Sequence, residues 1–476
     1  MYKKYKSSKL LRVAAAVTTF GVSGLVSVAA WSDEHRMQIA SITGPVPVTA
    51  ESGEPFRGAN AQPVPGPGLP PPVLAPYGYV EEEYFVSGTV DGKPYKTSML
   101  VRKPGDPQKF SGLVAVETVH TAGAIPFWGA KRVWLDGNHG WVAMATQLTA
   151  LEAHVKKANP TRYASLALPQ AEEADGPMLA RAMSGGPQDD ISQAIMTQVG
   201  ALLKSNIDGG PFQGMTVKYL LMGGASQTGG TTIRYIQDSH ETARMPDGSP
   251  IYDGYGPQEA FAGGPLQASD AAIMHPVTEG DLMFFSAMGR PMVLRDDSDA
   301  ADDRYRHYQI AGSSHVGTRG ITDPVAVFST LADAMKEGEE LSQFPQSELG
   351  VPPMANLVDW VMKGIVPPKA DRIEMTDGKI VRDELGIAKG GVRSPYVDMP
   401  TVRYIASAPA SPDNFFRALI GLQEDIPAEK LRALYGSRED YLEKFNRQID
   451  QMVADRWLFA DEGENLKQEE AARELF

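Results

Sequence analysis

One serine of this sequence lies at a predicted sharp turn between a strand and a helix. An apolar run at 217–223 leads into the sequence Gly-Ala-Ser-Gln-Thr at 224–228. Small residues around such a turn let the central side chain stand clear of the backbone in a strained conformation. The pattern predicts that Ser226 is a nucleophile. It departs from the usual turn at Thr228, where a glycine is expected, although Gly229 follows at once.

Two histidines downstream of Ser226 are candidates for the base that such a nucleophile needs, because a serine hydroxyl reacts only when an imidazole takes its proton. His307 lies within a predicted strand, where a side chain packs or faces solvent. His315 follows Gly-Ser-Ser at 312–314, on a loop at the carboxyl edge of the predicted sheet. Reactive groups of open α/β sheets gather at that edge. We therefore predict that His315 is the base.

A carboxylate must orient the imidazole, and two carboxylates follow the predicted strand 271–278. Asp281 is preferred because it lies beyond a glycine, where a loop can bend it toward His315. Glu279 is the alternative. An aspartate-rich run at 296–303 is a third option and also suggests calcium, but its spacing does not match an EF-hand loop. A solvated surface loop is the favoured interpretation of that run.

Two backbone segments are candidate donors to the oxyanion that develops during acyl transfer. One N–H is expected from Gln227, directly after Ser226. The other is expected from the loop after the predicted strand 112–117, with His120 or Thr121 as the donor. In a second interpretation, His120 only lines the pocket through its side chain. Neither interpretation makes it a metal ligand, because no second histidine lies at helical spacing from it.

The glycine-rich turn also allows two other interpretations. Residues 224–231 have the spacing of a phosphate-binding loop, but Gly230 replaces the lysine that would reach the phosphates. Nucleotide binding is therefore not favoured. The remaining alternative is a connection that only permits tight packing, with Ser226 as an ordinary helix N-cap.

Short apolar runs alternate with helical segments through the middle of the chain. The predicted strands are 84–90, 112–117, 140–146, 217–223, 271–278 and 305–311, and the predicted helices are 191–204, 231–239 and 325–337. Buried strands that alternate with helices indicate an α/β fold, with a mostly parallel sheet covered by helices on both faces.

Changes in composition and in hydrophobic periodicity divide the chain into segments. We predict a Pro/Gly-rich linker at 31–77, the α/β domain at 78–400, and a helical C-terminal extension at 401–476. Residues 148–211 are long enough to form a cap insertion over the site.

The first thirty residues are typical of an export signal. A lysine-rich start precedes an apolar stretch, and small residues at 27–30 suit signal peptidase. Cleavage predicts a periplasmic or secreted protein with no stable membrane insertion. The alternative is an uncleaved anchor, because the charge-free stretch at 13–32 is nearly long enough to span a bilayer.

Composition excludes several classes of function. The formal net charge of −14, with no basic block beyond the N-terminus, disfavours nucleic acid as a partner. The chain has no cysteine, which excludes disulfides, thiol nucleophiles and thiolate metal sites.

Taken with their surroundings, these residues resemble a family of bacterial secreted α/β-hydrolase-domain proteins with esterase-like reactive residues. The resemblance covers residues 78–476 and rests on the oxyanion loop, the Ser226-Gln227 turn and other segments, which include 78–88, 162–166, 190–193, 278–281, 311–315, 360–364 and 390–395. It implies an α/β-hydrolase fold and carboxylic-ester hydrolysis. The chain departs from the family at His120, where members usually carry asparagine, and at Thr228.

The expected reaction is acyl transfer from a small-molecule ester to Ser226, with His315 as base and then acid, followed by release with water. It requires no metal or organic cofactor. Two alternatives remain: a non-catalytic exported binding protein on the same fold, and an amidase. A dehalogenase is disfavoured because such enzymes generally use a carboxylate nucleophile.

Overall fold

The computed structural model describes residues 38–58, 72–170, 187–261, 264–289, 292–320, 335–410 and 415–474. The predicted signal segment lies outside these residues, as do 171–186 of the predicted cap and most of the helix predicted at 325–337. Within the described part of the chain, no helix is both long and apolar enough to cross a membrane.

A ten-stranded sheet forms the centre of the fold. Its strands are β1 Ser41–Thr43, β2 Tyr79–Val90, β3 Lys93–Pro104, β4 Leu113–Thr118, β5 Gly140–Met144, β6 Tyr219–Ala225, β7 Gly254–Gln258, β8 Ala272–Thr278, β9 Ser298–Ala300 and β10 Asp303–Ile310. Their spatial order is β1-β2-β3-β5-β4-β6-β7-β8-β10-β9. The six strands from β5 to β10 in that order are parallel. Their carboxyl ends therefore meet at one edge, where the predicted site residues follow them.

The central strands are apolar runs because both of their faces are covered. Every residue of β4, β5 and β8 is buried, as expected for parallel strands that lie under helices on both sides. By contrast, β2 and β3 form a long antiparallel hairpin. It turns at Asp91-Gly92, where both residues have the positive φ that tight hairpin turns require.

Helices occupy the connections between strands. They are α1 Lys131–Asp136, α2 Leu148–Ala150, α3 Lys156–Ala158, α4 Pro187–Lys204, α5 Gln227–Arg234, α6 Glu279–Ala287, α7 Gln346–Gly350, α8 Pro352–Lys363, α9 Pro395–Asp398, α10 Ala428–Tyr435, α11 Arg438–Ala454 and α12 Ala460–Ala472. A π-helical turn, Leu151–Val155, joins α2 to α3, and another, Tyr235–Ser239, extends α5. In the part of the chain that the structure describes, 3₁₀ turns occur at Ala75–Tyr77, Pro107–Lys109, Pro126–Ala130 and Phe415–Leu419. The predicted α/β fold is confirmed.

The segment 401–476 was predicted to be helical, but its first part also contains strands. Before its helices come β14 Val402–Ile405 and β15 Leu422–Asp425, which form a small sheet with β11 Glu340–Leu341. Buried and partly exposed residues alternate along β14, which is the period of a strand. A separate two-stranded sheet consists of β12 Met375–Thr376 and β13 Lys379–Ile380. Helical spacing begins only at α10.

Part of the predicted linker is packed against the domain. Residues 41–43 pair with β2, and residues 46–53 are held by the guanidinium of Arg162. It donates to the carbonyl oxygens of Val46 at 3.2 Å and of Pro47 and Gly53 at 3.0 Å each. Its Nε also bonds to the buried carboxylate of Glu83 at 2.5 Å. Such carbonyl contacts leave no periodic apolar pattern, so the sequence of this segment suggested only a linker.

Candidate active site

Ser226 lies at the tight turn between β6 and α5. Its backbone has φ 55° and ψ −122°, a conformation that residues other than glycine rarely adopt. The Ser226 N–H donates to the carbonyl of Gln258 at 3.0 Å, and the Ser226 carbonyl accepts from the N–H of Gly230 at 2.9 Å. These two bonds hold the strained residue between its strand and its helix.

Thr228 fills the inside of this turn, where the usual pattern has glycine. Its Oγ1 donates to the Ala225 carbonyl at 2.9 Å and accepts from the Ala225 N–H at 3.1 Å. Space for it exists because residue 224 is glycine: a Cβ there would lie 2.6 Å from Thr228 Oγ1. Close packing of the helix on the neighbouring strand depends instead on Gly229, where a Cβ would lie 2.5 Å from the Gln258 carbonyl oxygen.

Two adjacent glycines of α5 should therefore respond oppositely to alanine. Gly230→Ala is expected to stabilise the protein by about 0.5–1 kcal/mol, because a Cβ there meets nothing within 4 Å and alanine favours the helix. Gly229→Ala should destabilise it by about 1–3 kcal/mol, because the new Cβ meets the Gln258 carbonyl and displaces the helix. Urea unfolding of both variants measures the difference. Equal effects would contradict the packing described for Gly229.

Ser226, His315 and Asp281 form a hydrogen-bonded chain, which we call the triad. His315 Nε2 lies 3.0 Å from Ser226 Oγ, and His315 Nδ1 lies 2.6 Å from Asp281 Oδ1. The three residues follow the carboxyl ends of β6, β10 and β8. The Asp281 side chain is fully buried, whereas the imidazole keeps a tenth of its surface exposed. The geometry suits proton transfer from the hydroxyl to an imidazole that a carboxylate orients.

Asp281 is in the first turn of α6 rather than on the loop beyond the strand that the sequence suggested. Its Oδ2 accepts from the Thr278 N–H at 2.8 Å, and its own N–H donates to Thr278 Oγ1 at 3.0 Å. This reciprocal pair is a capping box. Because Oδ2 is committed to the cap, Oδ1 is held in one direction, toward His315.

The alternative acid, Glu279, is directed away from His315. Its Oε2 accepts from the Gly312 N–H at 2.8 Å, and its Oε1 pairs with Arg382 at 2.7 Å. Glu279 therefore ties the start of α6 to the turn after β10. It supports the loop that carries His315 and takes no part in the hydrogen-bonded chain of the triad.

The other sequence candidates lie apart from the triad. His307 is buried in β10 with its ring 4.7 Å from that of His275, and burial holds its pKa well below the usual value. In the aspartate-rich run, Asp297 pairs with Arg372 at 2.6 Å and Asp303 pairs with Arg295 at 2.7 Å. These are structural ion pairs. Over the described ranges, no group of three or more histidine or acidic side chains is arranged to hold a metal ion.

The backbone N–H of His120, predicted as a possible oxyanion donor, is already bonded within its loop. That N–H donates to the Ala124 carbonyl at 2.9 Å, which closes the loop after β4. The imidazole Nδ1 accepts from the Ala122 N–H at 2.9 Å, so the proton of the neutral ring is on Nε2. Burial, and then the charges of His315 and His154, lower the pKa of His120 to about 4. His120 is therefore a neutral donor near His315.

Thr121 and Gln227 are linked directly. The Thr121 N–H donates to Gln227 Oε1 at 3.3 Å. The side-chain amide of Gln227 also forms two hydrogen bonds with that of Gln147. Its Oε1 accepts from Gln147 Nε2 at 3.2 Å, and its Nε2 donates to Gln147 Oε1 at 2.7 Å. The Gln227 side chain thus joins the loop after β4 to the start of α2. Its backbone N–H is at the first position of α5, where no intrahelical acceptor exists.

Two carboxylates near the site were not recognised from the sequence. Glu117 of β4 accepts from the N–H groups of Phe127 and Trp128 at 2.9 Å each and from Trp141 Nε1 at 3.0 Å, and burial raises its pKa to about 8. It anchors the far end of the loop that contains His120. The second is Glu259, directly after β7. That strand went unrecognised because its sequence, Gly-Tyr-Gly-Pro-Gln, contains two glycines and a proline.

The chain matches the family described as alpha/beta hydrolase domain over residues 42–468. No curated protein sequence matched it. Among solved structures it is similar to an esterase of Pyrococcus furiosus, with 12% identity and a TM-score of 0.23 over 41% of this chain and 57% of that chain. It is also similar to brefeldin A esterase, a bacterial homologue of human hormone-sensitive lipase, with 13% identity and a TM-score of 0.24 over 41% and 44%.

A third similar structure is an aminopeptidase of a Thaumarchaeota archaeon, with 10% identity and a TM-score of 0.22 over 43% of this chain and 28% of that chain. The chain covers 28%, 57% and 54% of the length of the first three structures found. The family match, in contrast, includes every residue of the triad and all ten strands except the first residue of β1. The chain belongs to the alpha/beta hydrolase domain family.

Proposed function

We propose that this protein is a serine hydrolase that cleaves a small-molecule carboxylic ester through an acyl-enzyme on Ser226. The observation that carries the proposal is the triad, with 3.0 Å between Ser226 Oγ and His315 Nε2 and 2.6 Å between His315 Nδ1 and Asp281 Oδ1. Membership of the alpha/beta hydrolase domain family supports hydrolase activity.

In the first half of the reaction, Ser226 Oγ attacks the ester carbonyl while His315 Nε2 takes the hydroxyl proton. Asp281 stabilises the imidazolium that forms and keeps the Nδ1 proton in place. His315 then gives its proton to the departing alkoxide. In the second half, water attacks the acyl-enzyme by the same steps, and Ser226 is regenerated.

Two backbone N–H groups are our proposed donors to the oxyanion. One belongs to Gln227, which has no acceptor within its helix, and the other belongs to Thr121, whose bond to Gln227 Oε1 is long at 3.3 Å. A weakly held donor can turn to a stronger, charged acceptor. The Nε2–H of His120, on the same loop as Thr121, is a third proposed donor, because the bond from Ala122 to Nδ1 leaves the ring proton on Nε2.

A panel of p-nitrophenyl esters with graded acyl length tests the proposed activity. We expect measurable turnover on at least the short acyl esters, and stoichiometric labelling of Ser226 by a fluorophosphonate probe. Peptide mapping of the labelled protein locates the adduct. Labelling at another residue would move the nucleophile away from Ser226. Absence of labelling together with absence of hydrolysis of every ester would support the non-catalytic binding protein. Turnover of anilides at rates equal to those of the esters would favour the amidase.

The activity should rise with pH through the titration of His315. Burial lowers the pKa of this imidazole, but the charge of Asp281, its hydrogen bond and the charge of Glu259 together raise the pKa to about 9. The base must be neutral to accept a proton, so protonation at lower pH removes activity. We expect kcat/KM to fall about tenfold for each pH unit on the acid side of that pKa. A profile that falls as pH rises from 6 to 8 would contradict this assignment.

A further inference from the structure

A second carboxylate lies beside the triad and takes no part in its hydrogen-bonded chain. Glu259 directly follows β7, so it lies between the strand that precedes Ser226 and the strand that precedes Asp281. Its N–H donates to the carbonyl of Pro276, in β8, at 2.9 Å. The carbonyl of the residue before it, Gln258, accepts from the Ser226 N–H. The backbone at Glu259 is therefore tied both to the nucleophile turn and to β8.

The backbone of Glu259 is strained. Its φ is 50°, in the left-handed region, where a residue other than glycine is strained. Glycine would adopt the same conformation without this strain. A carboxylate is thus present at this position despite the strain.

One glutamine joins this carboxylate to the loop of His315. Gln346 Oε1 accepts from the Ser314 N–H at 3.2 Å, which fixes the orientation of the amide. Gln346 Nε2 then donates to Glu259 Oε1 at 3.3 Å and to the His315 carbonyl at 3.5 Å. These bonds are long, so they position the carboxylate more than they stabilise it. Glu259 Oε2 has no hydrogen-bond partner among the described residues.

The charges of Glu259 and His315 act on each other. Burial raises the pKa of Glu259, and the imidazole of His315 gives the largest opposing contribution. For His315, burial lowers the pKa, and the negative charges of Asp281 and then Glu259 raise it. The third titratable group near the imidazole is His120, which burial keeps neutral. The charges of two carboxylates, Asp281 on α6 and Glu259 after β7, therefore act on one imidazole.

We propose that Glu259 is a positioning residue that shares with Asp281 the stabilisation of the imidazolium formed when His315 takes a proton. The inference rests on the proposed function, in which that proton comes from Ser226 and from the deacylating water. Glu259 acts through His315 and does not contact the ester. When its carboxylate is ionised, it makes His315 a stronger base; when it is neutral, this contribution disappears.

The test is the pH profile of Glu259→Gln. Glutamine keeps an oxygen that can accept from Gln346, so the variant removes the charge and retains the hydrogen bond. We expect the plateau of kcat/KM to fall about tenfold and the acid limb to move about one unit to lower pH, since a full charge nearby shifts a pKa by about that much. The profiles of wild type and variant should approach each other at low pH. The pH dependence of fluorophosphonate labelling should show the same shift, because it reports the same imidazole.

Three comparisons make the result specific. Glu259→Asp keeps the charge and should leave the limb close to that of wild type. Glu259→Gly removes the charge and the backbone strain together, so it should fold even if the glutamine variant does not, with the same shift to lower pH. Added to Asp281→Asn, Glu259→Gln should lower kcat by less than its tenfold effect in wild type, because both carboxylates act on one imidazole.

An unshifted limb in both Glu259→Gln and Glu259→Gly would overturn the inference. Glu259 would then only hold Gln346 and its loop. Such a result would leave the proposed function standing as long as Ser226 is still labelled in wild type. Absence of labelling in wild type would instead remove the proposed function itself.

Discussion

Ser226→Ala is expected to lower kcat for ester hydrolysis by about a millionfold, because loss of the nucleophile alone disables all members of a triad that act as a unit. The 3.0 Å bond from His315 to Ser226 Oγ is the contact removed. Some catalysis by the oxyanion donors should persist, at about 10³–10⁴ over the rate in water. Single-turnover kinetics with a p-nitrophenyl ester measures the loss, and the variant should not react with a fluorophosphonate.

Two further variants separate this chemical effect from a structural one. Ser226→Gly should be equally inactive yet more stable by about 1 kcal/mol, since glycine adopts the φ of 55° without strain. Ser239→Ala is the matched control. It removes a hydroxyl from the turn that extends α5, where Ser239 donates to Gln193, and it should keep full activity and labelling. Retention of a tenth or more of kcat in Ser226→Ala would remove this serine from the mechanism.

The sequence indicated the triad because each of its members follows a largely buried strand. The strands before Ser226 and Asp281 are mostly apolar, and the apolar run stops where the buried part stops. The strand before His315 carries arginine, histidine and glutamine, so that residue was indicated by its loop at the sheet edge. Distances between the three residues were not predictable, because they depend on the order of strands in the sheet. The parallel register of β8 and β10 is what brings Asp281 and His315 together.

Other parts of the site left no readable pattern. The strand β7 contains glycine and proline, which are rare in central strands, so neither it nor Glu259 was recognised. The tautomer of His120 is set by a backbone N–H two residues away, and a local turn of this kind depends on φ and ψ rather than on residue type. The small sheet of β11, β14 and β15 has strands of two to four residues, too short for periodicity to reveal.

The choice between Asp281 and Glu279 can be settled by two amide substitutions. Asp281→Asn should lower kcat by about 10⁴, the cost of the wrong imidazole tautomer in a serine protease. The capping box gives the reason in this protein. One side-chain oxygen must accept from the Thr278 N–H at 2.8 Å, so the asparagine oxygen will serve the cap and its NH₂ will face His315. His315 Nδ1 must then be the acceptor, which leaves the proton on Nε2, where Ser226 needs a base.

Glu279→Gln is the matched control, because it makes the same change two residues earlier in the same helical turn. A glutamine oxygen can still accept from the Gly312 N–H, so the loop of His315 keeps its support. Only the ion pair with Arg382 is lost, and since that arginine is about one-third exposed, the free energy of unfolding should fall by about 1 kcal/mol or less. We expect kcat within about threefold of wild type on the same ester, since Glu279 takes no part in the triad and the ion pair that is lost is partly exposed on its arginine side. The opposite result, an inactive Glu279→Gln and an active Asp281→Asn, would contradict this assignment. His315 would then have to turn its ring toward Glu279 in the working enzyme and break the 2.6 Å bond to Asp281.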